Sequence, residues 1–253
     1  MRDSDWLAIQ KEEVAKYRAA GKETHPVVKR LREFRVAAYI EMAHEAFKLN
    51  DKPKILDVGC GGGNMLIRLA RDGADCYGID LLVEASLLPA IEKAKAERVN
   101  IHLCYGVGES LPFDDESFDE VLFMSVIQYV QNQERCLREI RRVLKYEGLF
   151  LATVPSSRNI RSLFQWSRRA GYETMQYDFR TFNDILVNSG FEVLQIREME
   201  FNPYGYTMFL RVLYKVIGQR AAVGWEKFAN TLIKLMPMHN IASNMLALCQ
   251  KNK

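Results

Sequence analysis

Apolar positions at Val36, Ile40, Ala43 and Phe47 recur at spacings of four, three and four, which places them on one face of a helix. They form the second of two helical stretches at the start of the chain, and Asp51-Lys52-Pro53 ends it. From Lys54 the pattern changes to short apolar runs alternating with amphipathic stretches. It predicts strand 54 to 58, helix 64 to 72, strand 75 to 80, helix 83 to 97, strand 100 to 105, strand 119 to 124, helix 133 to 144 and strand 148 to 154. Such alternation requires an α/β fold, a parallel sheet with helices on both faces.

After Pro155 the alternation stops. The segment 156–180 interleaves Arg158, Arg161, Arg168, Arg169 and Arg180 with Phe164, Trp166, Tyr172, Tyr177 and Phe179, and reads as a cover over the strand ends. A short helix over 181–189, capped by Gly190, and a strand over 191–196 resume the sheet. A helical insertion over 201–240 then precedes a final apolar run, 241–249. Its first amphipathic stretch has Tyr206, Phe209, Leu213 and Ile217 on one face, and its second has Trp225, Phe228, Leu232 and Leu235. With Arg211, Lys215, Arg220, Lys227 and Lys234 beside them, these faces either pack on the domain or give 206–236 a peripheral contact with an anionic bilayer. The expected division is a helical cover over 1–53, a core over 54–200 and 241–253, and the insertion.

Composition narrows this little. Of 253 residues 48% are apolar, enough for one large domain, and the formal net charge of +3 gives no general pull on nucleic acid, so no nucleic-acid partner is expected. The five cysteines include no CxxC pair and no Cys/His cluster, so neither a metal site nor a disulfide framework is indicated. A charged N-terminus and the lack of a run of about 18 apolar residues lead to a cytoplasmic expectation, extending to the inner membrane face if the insertion binds lipid.

The chemistry lies in Lys54-Ile55-Leu56-Asp57-Val58-Gly59-Cys60-Gly61-Gly62-Gly63-Asn64, an apolar strand, an acid and a glycine-rich turn before a helix. A dinucleotide fingerprint fails here, because the sixth position is Asn64 counted from Gly59 and Leu66 counted from Gly61. A phosphate loop fails too, since no Gly-Lys-Ser/Thr follows. Asp57 beside a closely approaching backbone suits a ligand ammonium, directly or through water. Asp80, ending the next strand about twenty residues on, suits ribose hydroxyls. An amino acid joined to a nucleoside is S-adenosylmethionine.

With Asp57 to Gly63, Asp80, Glu109-Ser110-Leu111-Pro112-Phe113, Phe118-Asp119, and Leu137-Arg138-Glu139-Ile140 through Gly148 to Pro155, the chain resembles the class I S-adenosylmethionine-dependent methyltransferases. It is most similar to the small-molecule branch containing the ubiquinone and menaquinone biosynthesis enzymes. The resemblance implies a Rossmann-like seven-stranded, mostly parallel sheet. It also implies that Gly59, Cys60 and Gly61 line the methionine part of the cofactor, and that Asp80 and Leu81 hold ribose and adenine. Met124 and Ser125 would lie near the sulfonium. Three departures stand out: Gly106-Val107-Gly108-Glu109 replaces Gly-Asp-Ala-Glu, which leaves adenine to backbone near Gly108 or to Glu109; Gln128-Tyr129 stands where many relatives have a His; and Tyr146-Glu147-Gly148 replaces Pro-Gly-Gly in a loop before the fifth strand.

Methyl transfer from a sulfonium is an in-line displacement, so alignment and exclusion of water dominate and a strong base is optional. Tyr129 is the candidate catalytic group, acting directly or by orienting a water, but a phenol of ordinary pKa is a poor base, which favours a role in lining the acceptor pocket with Gln128. Arg168 and Arg169 are candidates for an anionic group on the acceptor, against the plainer reading of a solvated charged helix. His102 reads as a core imidazole, His44 as surface, His25 as a helix start and His239 as part of the insertion. The expected acceptor is a small or lipid-like molecule. RNA or protein methylation, and a non-catalytic cofactor-binding partner, are the alternatives.

Overall fold

The computed structural model describes residues 39, 40, 42, 52–157, 177–199 and 244–252. Lys54–Val58 forms β1, Asn64–Arg71 α1, Asp75–Asp80 β2, Leu88–Ala96 α2, His102–Tyr105 β3, Phe118–Met124 β4 and Gln133–Val143 α3. Leu144–Pro155 forms β5, Phe179–Asn188 α4, Phe191–Met199 β6 and Asn244–Lys251 β7. The seven strands lie in the order β3-β2-β1-β4-β5-β7-β6. The pairs among β1 to β5 are parallel. β7 runs antiparallel to both its neighbours, β5 and β6. This is the mostly parallel seven-stranded sheet that the resemblance implies.

Each face of the sheet carries its own core. On one, Leu56, Val58, Val121, Phe123 and Phe150 pack against Leu137 and Ile140 of α3 and Phe182 and Leu186 of α4. On the other, Ile55, Leu122, Leu151 and Leu246 pack against Leu66 and Leu69 of α1. Tyr39, Ile40 and Met42, helical and buried, join this second core. Of the expected N-terminal apolar face only Ile40 lies within the described residues.

Two elements depart from the periodicity reading, each for a local reason. The helix expected over 83–97 opens with a π-turn, Val83–Leu87, before α2 begins. Pro89 stands in the first turn of α2, where it has no N–H to give a continuous α-helical ladder, and the extra residue of a π-turn takes up the mismatch. The second departure corrects the loop reading of Tyr146-Glu147-Gly148, which lies inside β5. Phe118 pairs with Leu144, the register then shifts, and Glu120 pairs with Leu149. Glu147 has φ +59, and a Cβ on Gly148 would stand 2.8 Å from the Lys145 carbonyl oxygen, so the segment is a bulge that only a glycine can close. His102 is a further correction. It is exposed, because β3 is an edge strand, and its ring stacks on Tyr77 at 4.6 Å with Asp75 Oδ1 3.6 Å away. His25, His44 and His239 lie outside the described residues.

The 111–115 loop between β3 and β4 is held by α3. The Arg142 guanidinium donates to the carbonyls of Leu111 (3.0 Å) and Phe113 (2.8 Å) and to Glu139 and Asp115, while the Leu111 N–H donates to Glu139 at 2.9 Å. Arg142→Ala is expected to free this loop and cost about 1–3 kcal/mol, the range for losing charged hydrogen bonds at a partly exposed site. A urea melt checks it.

Candidate functional site

β1 to β5 end at one edge, and the strand order turns there: β2 and β3 extend to one side of β1, β4 and β5 to the other. In an open α/β sheet this switch point is where the loops diverge and leave a crevice. The loops that border it are 59–63 after β1, 81–82 after β2, 106–110 after β3 and 125–131 after β4.

The first two loops are locked together by one carboxylate. Asp80, buried at the end of β2, accepts from the Gly61 N–H through Oδ2 and from the Leu82 N–H through Oδ1, both at 2.8 Å. Gly59 and Cys60 donate their N–H groups to the Ile79 carbonyl at 2.8 and 3.1 Å. Gly59 has φ +78, and a Cβ there would meet Val126 Cγ2 at 2.5 Å. The glycine thus lets the first loop lie flat against the fourth. Asp57 is 4% exposed; burial, reinforced by the charge of Asp80, raises its carboxyl to about 7.

The third loop closes the crevice on the β2 side. The Gly106 N–H donates to the Asp80 carbonyl at 3.3 Å, and Ser110 N–H to the Val107 carbonyl at 3.2 Å. A Cβ on Gly108 would meet Cys136 Sγ at 2.6 Å and Val58 Cγ1 at 3.2 Å, so packing against β1 and α3 requires this glycine. Glu109 Oε1 accepts the Gln131 N–H at 3.1 Å, which ties the third loop to the fourth.

The fourth loop begins with a strained residue. Ser125 has φ +59, a region that costs a residue with a Cβ, and it is held there by its N–H on the Thr153 carbonyl at 3.2 Å and by its hydroxyl 3.1 Å from that of Thr153. Ile127–Tyr129 form a single 3-10 turn. Gln128 Nε2 donates to the Ser125 carbonyl at 2.9 Å, whereas Gln128 Oε1 is buried with no hydrogen-bond partner. The two ends of the expected cover return to the same edge: Ser157 N–H donates to the Tyr177 carbonyl at 2.8 Å, and Tyr177 N–H to the Pro155 carbonyl at 3.0 Å. Arg168 and Arg169 lie outside the described residues.

Asp57, Gly59 to Gly61, Asp80, Leu81, Gly108, Glu109 and the segment Met124 to Tyr129 are therefore carried on adjoining loops and strand ends. Their chemistry fits S-adenosylmethionine. A carboxylate offers about four lone-pair directions and can accept from hydroxyls as well as from backbone N–H groups, which suits Asp80 to the ribose. Asp57 would take the ammonium. The unpartnered Gln128 Oε1 is an acceptor waiting for a donor. Among the described residues no group of three or more His, Cys, Asp or Glu is arranged to hold a metal ion.

Glu120 is absent from the sequence reading. It is 1% exposed in β4, its Oε1 has no partner, and burial, then the Asp57 charge, raises its carboxyl to about 8. The signal was present in Phe118–Met124, where a second charged residue follows Asp119 in an otherwise apolar run. The two acids differ in role: Asp119 accepts the Lys54 N–H and the Lys145 ammonium, at 2.8 and 2.7 Å.

Residues 56–152 match a family described as methyltransferase domain. The chain is 27% identical over 202 residues to the protein MJ1252 of Methanocaldococcus jannaschii, covering 68% of this chain and 76% of that one. It is 37% identical over 99 residues to the ubiquinone biosynthesis O-methyltransferase of Maricaulis maris, a match that spans 39% of each chain. In fold, it matches the phosphoethanolamine N-methyltransferase 2 of Haemonchus contortus, solved in complex with S-adenosyl-L-methionine, with a TM-score of 0.60 at 18% identity over 85% of this chain and 52% of that one. Residues 56–152 thus carry a methyltransferase domain, and the seven-stranded sheet has the fold of the class I S-adenosylmethionine-dependent methyltransferases. Within them its sequence is similar to the ubiquinone biosynthesis enzymes, and its cofactor is S-adenosylmethionine.

Proposed function

We propose that the protein transfers a methyl group from S-adenosylmethionine to a hydroxyl or amine of a small, lipid-like acceptor. The observation that carries this is the buried, unpartnered Oε1 of Gln128 in the loop after β4. It is a hydrogen-bond acceptor, so it complements an O–H or N–H on the incoming molecule and would orient the oxygen or nitrogen for attack. The similarity to a ubiquinone biosynthesis O-methyltransferase, and in fold to a phosphoethanolamine N-methyltransferase, supports a small acceptor carrying one of these groups.

The cofactor supplies an activated methyl on sulfur, and the chain supplies alignment. Asp57 and the 59–63 backbone hold the amino-acid end, Asp80 and Leu81 the nucleoside, with Gly108 and Glu109 on the adenine side. Met124 and Ser125 border the methyl. Gln128 orients the acceptor, and Tyr129 shields the reacting atoms or passes the acceptor proton to water. Arg168 and Arg169 meet an anionic group on the acceptor. The five free cysteines support a reducing cytoplasm as the place of reaction.

A panel of phenols, catechols, amines and prenylated quinols, screened by methyl transfer from labelled cofactor, tests the reading; transfer only to RNA or protein, or to nothing, overturns it. With an acceptor in hand, Gln128→Leu is expected to raise its KM by about tenfold or more, one hydrogen bond to an otherwise buried group. Tyr129→Phe is expected to lower kcat by about 100-fold, the lower end of the range for a positioned proton-transfer group, with cofactor affinity unchanged.

A further inference from the structure

Glu120 occupies the middle of β4, where its neighbours Val121 and Leu122 are both buried. In the parallel pairing of β1 with β4, Ile55 lies opposite Glu120 and Asp57 opposite Leu122. Alternate residues of a strand share a face, so Ile55, Asp57, Glu120 and Leu122 project to one side of the sheet. Glu120 therefore stands one strand across from Asp57 and one side-chain layer further from the loop edge. A carboxylate placed there faces the full cost of leaving water unless it keeps its proton or gains a counter-charge.

The described elements packed on this face bring other titratable groups near, and none is cationic: Asp57 on β1, Cys76 and Asp80 on β2, Cys60 in the glycine turn, and Tyr39 from the N-terminal helix. α1, β5 and β7 contribute apolar side chains and Thr153. Burial and the neighbouring acids push the Cys76 thiol up to about 12, so it stays neutral.

We propose that Glu120 is a positioning residue of the cofactor site: with Asp57 it forms a buried carboxyl pair that keeps a proton in the free protein and releases it when a ligand ammonium binds at Asp57. The inference rests on the S-adenosylmethionine reading of the site. Burial, and then the Asp57 charge, hold the proton on Glu120; the ammonium neutralises that charge and so weakens the hold. The Glu120 O–H bond breaks, the proton passes to solvent, and no other bond changes. Two like charges in one low-dielectric site titrate as a unit, so the release belongs to the pair. Cofactor affinity is consequently tuned to pH through a residue that does not touch the cofactor.

The sign follows from the raised values. Asp57 rises to about 7 and Glu120 to about 8. In the unfolded chain both carboxyls are ionised above about pH 5. The native state therefore binds more protons than the unfolded state between these limits, and the free protein loses stability as pH rises through about 8. Ammonium binding favours the ionised pair, so affinity strengthens over the same interval.

Calorimetry of the full chain with S-adenosylhomocysteine, in two buffers of different ionisation enthalpy from pH 6 to 9, tests the proposal. Binding is expected to release roughly half a proton to one proton near pH 8, the span of one shared titration. 5′-Methylthioadenosine, which has the nucleoside but no amino-acid end, is expected to bind without release. Glu120→Gln, which keeps the side-chain volume, is expected to bind S-adenosylhomocysteine without release at pH 8. Equal proton release by the wild type and Glu120→Gln, or by the two ligands, overturns the proposal. If Glu120→Gln does not fold, the wild type decides alone: the rise in Tm produced by S-adenosylhomocysteine must grow from pH 6 to 8, and a constant rise overturns the proposal. Binding without proton release sinks this inference and leaves the cofactor reading standing. A wild type that binds none of these ligands sinks both.

Discussion

Replacing Asp80 by alanine is expected to weaken S-adenosylmethionine binding by roughly 100-fold or more, from the loss of about two charge-assisted hydrogen bonds worth roughly 1.5–3 kcal/mol each. The two bonds are those from the Gly61 and Leu82 N–H groups, 2.8 Å each. Without the carboxylate both amides lose their partner and the first two loops lose their shared anchor, so the site is disordered before the nucleoside arrives. Any ribose contact is lost in addition. Asp80→Asn separates these effects. Its amide oxygen can accept one of the two bonds, while its NH2 group meets the other N–H and repels it, so the loss should be intermediate. Since Asp80 acts on the nucleoside side, Asp80→Ala should weaken 5′-methylthioadenosine as severely as S-adenosylhomocysteine. Calorimetry with both ligands checks this. An Asp80→Ala protein that binds within threefold of the wild type would show that the carboxylate is not the anchor that the geometry makes it.

Gly59→Ala is expected to be nearly as damaging, and for a steric reason. The backbone has φ +78, which costs a residue with a Cβ roughly 1–2 kcal/mol. The added methyl would stand 2.5 Å from Val126 Cγ2, an overlap that forces the first loop away from the fourth. Together these should lower affinity by about 30-fold or more, at about 1.4 kcal/mol per tenfold. They should also lower the Tm of the free protein. Gly62→Ala is the matched control: Gly62 is not among the glycines with positive φ, and a Cβ there has nothing within 4 Å. Its Tm should equal that of the wild type. A Gly59→Ala protein with unchanged Tm and affinity would refute the crowding at Val126 as the reason for the glycine.

Much of the core was legible because its signals are local. The run Lys54 to Asn64 holds apolar periodicity, an acid and left-handed glycine positions within eleven residues, and β1, the turn and α1 formed where the pattern put them. Gly190, with φ +83, caps the chain after α4 for the same reason. The bulge at Tyr146 to Gly148 was not legible, since it depends on how Phe118 and Glu120 register against β5 across the sheet. His102 was misread as core because an edge strand and a central strand of four residues look alike until the strand order is known.

The sequence by itself determined the donor chemistry of this protein: which acid ends each strand, where the glycines permit a close backbone, and so which cofactor suits the turn. The tertiary structure alone decided how those parts act together. It placed the Asp80 carboxylate on the N–H groups of two loops, set Val126 against Gly59, and left Gln128 Oε1 without a partner. It also set Glu120 beneath Asp57, residues that lie far apart along the chain. The physical reason is that backbone preference and apolar periodicity are local properties, whereas burial, carboxyl repulsion and unfilled hydrogen bonds arise only when distant strands are brought into register.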